Sequence, residues 1–283
     1  MNAPSELRIA LPHLTLAAQT WGDPALPPLL ALHGWLDNAG SFALLAPLLA
    51  NRFHVIALEL PGHGHSDHIA PGALYHYVDY ARTTLAAAAA LKLDHYTLLG
   101  HSLGAGTATL MTAAAPQHID RLFLIEGLGP LGDDGTTTLK RFRDALAPRD
   151  GLNKPLRVFR SVDQAISART IVSGLRGDLA RPIIERGVIA VNGGYSWRSD
   201  PRLTRATSVR LAETQMHALL RGIDLPVALL LAQPTTAYLP NELMQARAAC
   251  VAHIHVTHLD GGHHLHLEHP QAVADWINAA TAA

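Results

Sequence analysis

Short, almost unbroken apolar runs alternate along this chain with longer segments of helical periodicity. PPLLALHG (27–34), FHVIALELPG (53–62), YTLLGHS (96–102) and DRLFLIEGLG (120–129) read as buried strands. LPVALLLAQP (225–234) and AHIHVTHLDGG (252–262) follow the same pattern. A strand that is apolar at successive positions must be covered on both faces. The intervening stretches 40–50, 77–91, 104–115, 242–249 and 270–280 have helical character. This alternation predicts an α/β fold, a mostly parallel central sheet flanked by helices. The stretch 7–18 alternates more strictly and predicts an antiparallel edge. Ligand sites in such sheets lie beyond the carboxyl ends of the strands. His33, His63, Ser102, Glu126 and His263 all fall there.

The region 131–221 breaks the pattern. It holds no strong strand, its helix-like pieces are interrupted by Gly and Pro, and Arg141, Arg143, Arg157, Arg160, Arg169 and Arg176 punctuate it. It predicts a helical cap inserted between two parts of one core, 1–130 and 222–283. AAAAALKL (86–93) is a strong helix former and needs no repeat to explain it.

Composition narrows the class. The chain has 283 residues, 48% of them hydrophobic, enough for a large core. Its formal net charge is -1 and no basic block occurs, which argues against nucleic acid or an anionic membrane surface as partner. Cys250 is the single cysteine, so no internal disulfide can form. That and an N-terminus without an apolar signal-peptide core point to a reducing, cytoplasmic setting. No run of apolar residues is long enough to span a membrane. Eighteen histidines raise the question of metal. His63, His65, Asp67 and His68 form H-x-H-x-D-H, a spacing that can hold two zinc ions.

The sharpest chemical signal is Gly100-His101-Ser102-Leu103-Gly104, a G-x-S-x-G between an apolar run and a helical one. A tight strand-to-helix turn there would hold the serine hydroxyl above the sheet at a helix N-terminus. The developing oxyanion needs two donors. The backbone N–H of Leu103 supplies one, and Trp35 in LHGWLDN supplies the other, with Gly34 allowing close approach. His33 is expected to hold that loop and is also a candidate pocket residue. LDGGHHLHLEHP places His263 as general base, with His264 as its rival. His266 and His269 read as helix-entry or surface residues.

These motifs, H-G-W, G-H-G-x-S, G-H-S-L-G and a terminal G-H-x-x-x-x-E-x-P (262–270), resemble those of the α/β-hydrolases in kind and order. LHGWLDNAGSF and GGYSWRSDPRL (193–203) also resemble the serine hydrolase-like subgroup. The resemblance implies a triad acid on the loop after the penultimate core strand, yet LLAQPTTAYLPNEL has no aspartate and its first carboxylate is Glu242. Some members of the family, the haloalkane dehalogenases among them, take the acid from the strand after the nucleophile helix. Here that position is Glu126, and the order Ser, Glu, His is preserved. A glutamate closing an apolar strand needs a partner, since burying an unpaired charge is costly. The likeness to dehalogenases ends at the nucleophile, because serine implies acyl transfer.

Against zinc, a metallo-β-lactamase-like site needs a four-layer sandwich with many antiparallel strands. The same residues fit a hydrolase turn, with Gly64 closing the loop and Ser66 and Asp67 making local bonds. The expectation is therefore a serine hydrolase with triad Ser102, His263 and Glu126, cleaving an acyl bond of a small molecule, foremost a carboxylic ester. Thioester, amide or carbon–carbon substrates, or a non-catalytic ligand-binding protein on the same fold, are the alternatives. No cofactor is implied. His33, Trp35, His101 and Trp197 are the pocket candidates, with Tyr195 a further aromatic wall. Arg198 and Asp200 are expected to pair with each other.

Overall fold

The computed structural model describes residues 3–147, 157–236 and 239–282. The stretch 148–156 of the expected cap, and Ala237 and Tyr238 after the penultimate strand, lie outside the described residues. Strands β1 (Ser5–Ala10) and β2 (Thr15–Trp21) pair antiparallel. Then come β3 (Pro28–Leu32), the short α1 (Ala46–Leu49), β4 (His54–Leu58), α2 (Tyr77–Ala90), β5 (Tyr96–His101), α3 (Leu103–Ala114) and β6 (Ile119–Ile125). The chain next leaves the sheet through α4 (Thr138–Leu146), α5 (Val162–Ser173), α6 (Gly177–Gly187), the hairpin β7 (Val188–Val191) and β8 (Gly194–Trp197), and α7 (Glu213–Arg221). It returns as β9 (Val227–Gln233), α8 (Asn241–Ala248), β10 (Ile254–Asp260), α9 (Leu265–Glu268) and α10 (Pro270–Ala282). The main sheet runs β1-β2-β4-β3-β5-β6-β9-β10, antiparallel only where β2 meets β1 and β4.

Both faces of this sheet are covered, as the continuous apolar strands require. Leu30, Leu98, Leu122, Leu124 and Leu229 face one core cluster, with α2 and α3 on that side. Their chain neighbours Leu29, Leu99, Phe123, Ile125 and Leu230 face a second cluster with α1 and α10. A fully buried Leu or Phe in such a layer contributes roughly 1.5–3 kcal/mol.

Register brings the distant chemistry together. Leu32 pairs with Gly100, so the loop after β3 lies beside the end of β5. His101 pairs with Ile125, which sets Ser102 beside Glu126. Ile125 pairs with Leu230 on β9. Helix α3 can lie this close because it begins with small residues: a Cβ on Gly104 would collide with the Leu32 carbonyl.

The excursion between β6 and β9 differs from the expected purely helical cap. It contains the β7–β8 hairpin, whose two-residue Asn192-Gly193 link is a favoured tight-turn sequence. Phe159, Ile166, Leu175, Ile183 and Ile184 form a third, smaller core that Leu267 of α9 joins. Met216 and Leu220 of α7, by contrast, join the larger core beside α3. The excursion is tied down by α6. Arg186 reaches the fully buried Glu59 at 2.6 Å and Glu6 of β1 at 2.7 Å. Asn38 donates to the Ile183 carbonyl at 2.8 Å. Among the described residues no helix is long and apolar enough to cross a membrane.

Candidate active site

Ser102 sits between β5 and α3 with φ 53° and ψ -112°, a backbone conformation that L-residues rarely adopt. Such strain costs about 1–3 kcal/mol and persists only where the surroundings enforce it. Here they do: the Ser102 N–H is held by the Ile125 carbonyl at 3.0 Å, and its own carbonyl accepts the Gly106 N–H. The flanking glycines are required sterically, since a Cβ on Gly100 would lie 2.5 Å from the Gly104 carbonyl oxygen. Leu103, the first residue of α3, follows directly, so its N–H is among the unpaired donors at the helix start.

Ser102 lines a cavity of about 580 Å³ that Gly34, Trp35, Leu103, Glu126 and His263 also line. Glu126 leaves β6 with φ 55°, a second left-handed non-glycine residue. Its carboxylate is 2% exposed, and Oε2 lies 3.1 Å from His263 Nδ1. The Ala232 N–H and the Thr236 hydroxyl also donate to it. A carboxylate bound to Nδ1 leaves Nε2 as the imidazole nitrogen that can accept a proton. Glu242, the alternative acid, is exposed on α8 and does not line the cavity.

His264 turns the other way. Its Nε2 lies 3.4 Å from Asp37 Oδ2, and Arg169 of α5 approaches Asp37 Oδ1 at 2.6 Å. Burial would raise the Asp37 carboxyl, but the close His264 imidazole and the Arg169 guanidinium outweigh it and hold it well below the usual range. His101 completes this cluster. It is fully buried, and its Nε2 is 2.8 Å from the His263 carbonyl, so it donates there and pins the loop that carries His263. Burial, reinforced by neighbouring histidines, pushes its pKa well below normal, so it is neutral. A Cβ on Gly34 would sit 2.8 Å from His101 Nδ1. His101 and the β3 loop therefore pack directly on each other.

Trp35 and His101 line the cavity, whereas two other pocket candidates do not. His33 is completely buried beneath the loop. Its Nδ1 donates to the Gly34 carbonyl at 2.7 Å, and its Nε2 accepts the Leu60 N–H at 3.1 Å. Trp197 packs edge-on against Phe159 at 4.9 Å, inside the small core of the excursion, because the β7–β8 hairpin turns it there. Tyr195 packs against that same core. Two further expectations change. Asp200 pairs with Arg202 at 2.6 Å, not with Arg198, whose Nε donates to the Val188 carbonyl. His266 is buried, not superficial, and meets the Ser41 hydroxyl at 2.8 Å. Burial and then His264 lower its pKa to about 3.

The H-x-H-x-D-H side chains diverge. His63 is buried with Nδ1 against the Pro61 carbonyl, Asp67 accepts the Thr15 N–H, and His68 reaches the Arg198 carbonyl. Among the described residues no three His, Cys, Asp or Glu side chains are grouped to hold a metal. Gly64 closes this turn with φ 53°, where a Cβ would strike the Glu59 carboxylate.

Sequence reasoning did not single out Asp37, nor Arg169 as its partner. The signal available for Asp37 was its place in the loop after β3, next to the expected oxyanion donor.

Known proteins agree with this architecture. The sequence model of the alpha/beta hydrolase fold family matches residues 27–270. A serine hydrolase-like protein of Danio rerio is 28% identical over 98% of this chain and 88% of its own length. A probable serine hydrolase of Drosophila melanogaster is 30% identical over 96% of this chain and 86% of its own. The crystal structure of the hypothetical protein PA1622 from Pseudomonas aeruginosa PAO1 is 39% identical, covers 98% of this chain and 99% of its own, and superposes with a TM-score of 0.91. The chain belongs to the alpha/beta hydrolase fold family, within its serine hydrolase-like subgroup.

Proposed function

We propose that the protein is a serine hydrolase that cleaves an acyl bond, foremost a carboxylic ester of a small molecule, through an acyl-serine intermediate. The observation that carries this reading is the strained Ser102 elbow sharing one cavity with the Glu126–His263 pair at 3.1 Å. His263 Nε2 takes the Ser102 hydroxyl proton as Oγ attacks the carbonyl carbon. The oxyanion forms against the N–H groups of Leu103 and Trp35. Glu126 holds His263 in the Nδ1–H tautomer and stabilises the imidazolium. The carbon–leaving-group bond breaks as His263 returns the proton to the leaving group. Water, deprotonated by His263, then cleaves the acyl-serine and releases the acid. In this reading the excursion between β6 and β9 acts as a cap that shapes the acyl pocket, with Trp35 joined to it through a 3.0 Å bond from its indole N–H to the Leu203 carbonyl.

Fluorophosphonate labelling followed by intact mass tests the reading without knowledge of the substrate. One adduct on the wild type and none on Ser102→Ala is expected. A folded wild type that takes no adduct would overturn it.

A further inference from the structure

Four arginines line the cavity: Arg169, Arg202, Arg205 and Arg210. Two of them are committed. Arg169 is bound by Asp37, and Arg202 is bound by Asp200 and by the carbonyls of Ile69 and Ala70. The side chains of Arg205 and Arg210 make neither a hydrogen bond nor an ion pair with the described residues, although the Arg205 backbone N–H donates to the Arg202 carbonyl. Both lie on the 205–212 segment that leads into α7, and both are partly buried. Among the described residues the carboxylates on the lining are Asp37 and Glu126, engaged by Arg169 and His264 and by His263 respectively. Two arginines therefore line the cavity with Ser102, and neither side chain is paired with a carboxylate among the described residues.

We infer that Arg205 and Arg210 bind a carboxylate carried by the substrate away from its scissile carbonyl, so the preferred substrates are anionic acyl esters. This rests on the acyl-hydrolase reading above. A guanidinium presents a planar fork of donors that matches a carboxylate, and a partly dry cavity strengthens the pairing. Partial burial, and then the neighbouring Arg141 cation, lower the pKa of Arg210, so an arriving anion relieves an unfavourable position. Asp133, which also acts on Arg210, is already held by Arg141, the Gly135 N–H and Thr138. Because neither arginine side chain bonds to another described residue, their replacement leaves the Ser102 elbow and the Glu126–His263 pair with all their contacts.

The test compares 4-nitrophenyl half-esters of succinate, glutarate and adipate with neutral 4-nitrophenyl esters of equal chain length. A parallel pair places the carboxylate on the phenol. The wild type is expected to favour at least one anionic series by about tenfold or more in kcat/KM, the size of a charge-assisted bond. That ratio should fall toward one in Arg205→Ala/Arg210→Ala, and Arg205→Glu/Arg210→Glu should invert it. A wild type that prefers neutral esters in both series, or a ratio unmoved by the double variant, would overturn the inference while leaving ester hydrolysis intact. Calorimetric titration of glutarate into Ser102→Ala, with and without the arginine pair, separates the two claims. Arginine-dependent binding without turnover of any ester sustains the anion site and sinks the esterase reading; neither binding nor turnover sinks both.

Discussion

Two neighbouring histidines on one loop meet two carboxylates, and their surroundings differ. His263 meets Glu126, which also accepts from two neutral donors, the Ala232 N–H and the Thr236 hydroxyl. His264 meets Asp37, which a full cation, Arg169, also holds at 2.6 Å. The charge of Asp37 is thus spread over a structural ion pair that joins the β3 loop to α5. The charge of Glu126 remains available to one imidazole. A carboxylate–histidine contact is therefore not in itself a catalytic pair; what else the carboxylate binds decides what it can do for the histidine.

The strongest way to break this comparison is to remove each histidine. His263→Ala is expected to lower turnover of an ester substrate by roughly 10⁴–10⁶, as loss of a triad member does. His264→Ala should stay within about tenfold of the wild type, in line with a group that makes no bond to the reacting atoms. Similar losses in both would erase the distinction. The carboxylates sharpen it. Glu126→Gln should cost about 10⁴ in kcat, because the amide cannot stabilise an imidazolium. A Glu126→Gln enzyme with near-normal kcat would reassign the acid.

Stability should show the reverse order. Asp37→Ala leaves the mostly buried Arg169 guanidinium without its partner, and such uncompensated charges cost about 3–5 kcal/mol. Denaturant unfolding should place Asp37→Ala well below Glu126→Gln; equal midpoints would show that the Arg169 contact does not hold the structure. The smallest effect is on pH dependence. His63 and His266 are each lowered to about 3, chiefly by burial, and His33 and His101 are lowered as well. The unfolded chain takes up these protons near pH 6.5 and the folded chain does not. The contribution of His63 and His266 is therefore fully present above that pH and is lost as pH drops through the window toward 3, by up to about 1.4 kcal/mol per pH unit for each of the two. Replacing His266 by Gln should flatten the slope between pH 6 and 4, measured as the shift in urea midpoint. An unchanged slope would mean that His266 titrates normally in the folded protein.

The sheet was legible because each of its strands that is buried on both faces is a continuous apolar run bounded by glycine, proline or a polar turn. Glu126 was legible for a related reason: a charge that closes such a run requires a partner. Ser102 was marked by the glycines its turn demands. His263 was preferred to His264 from its position alone, since both follow Gly261-Gly262, and it is the fold that aims them at different carboxylates. The Asp37–Arg169 bond joins a core loop to a helix far along the chain, and no local pattern encodes such a pair. The β7–β8 hairpin was a different failure. Its Asn-Gly turn was readable, but the arginine-rich helical segments around it dominated the reading of that region. Trp197 went astray with it, because an aromatic on that hairpin faces the excursion's small core.

The position of Glu126 at the end of β6 has a consequence for how the molecule can be divided. With the acid there, the proposed nucleophile, acid and oxyanion donors all lie before the excursion, and only His263 comes after it. Chain length between β6 and β9 can then vary without disturbing the spacing of the first three. A break within that stretch would yield two pieces, one holding all of the proposed machinery but the base and the other supplying the base on β10 and its loop. Their reunion through the β6–β9 pairing would restore the site, making this chain a natural template for a two-part enzyme whose activity reports on association.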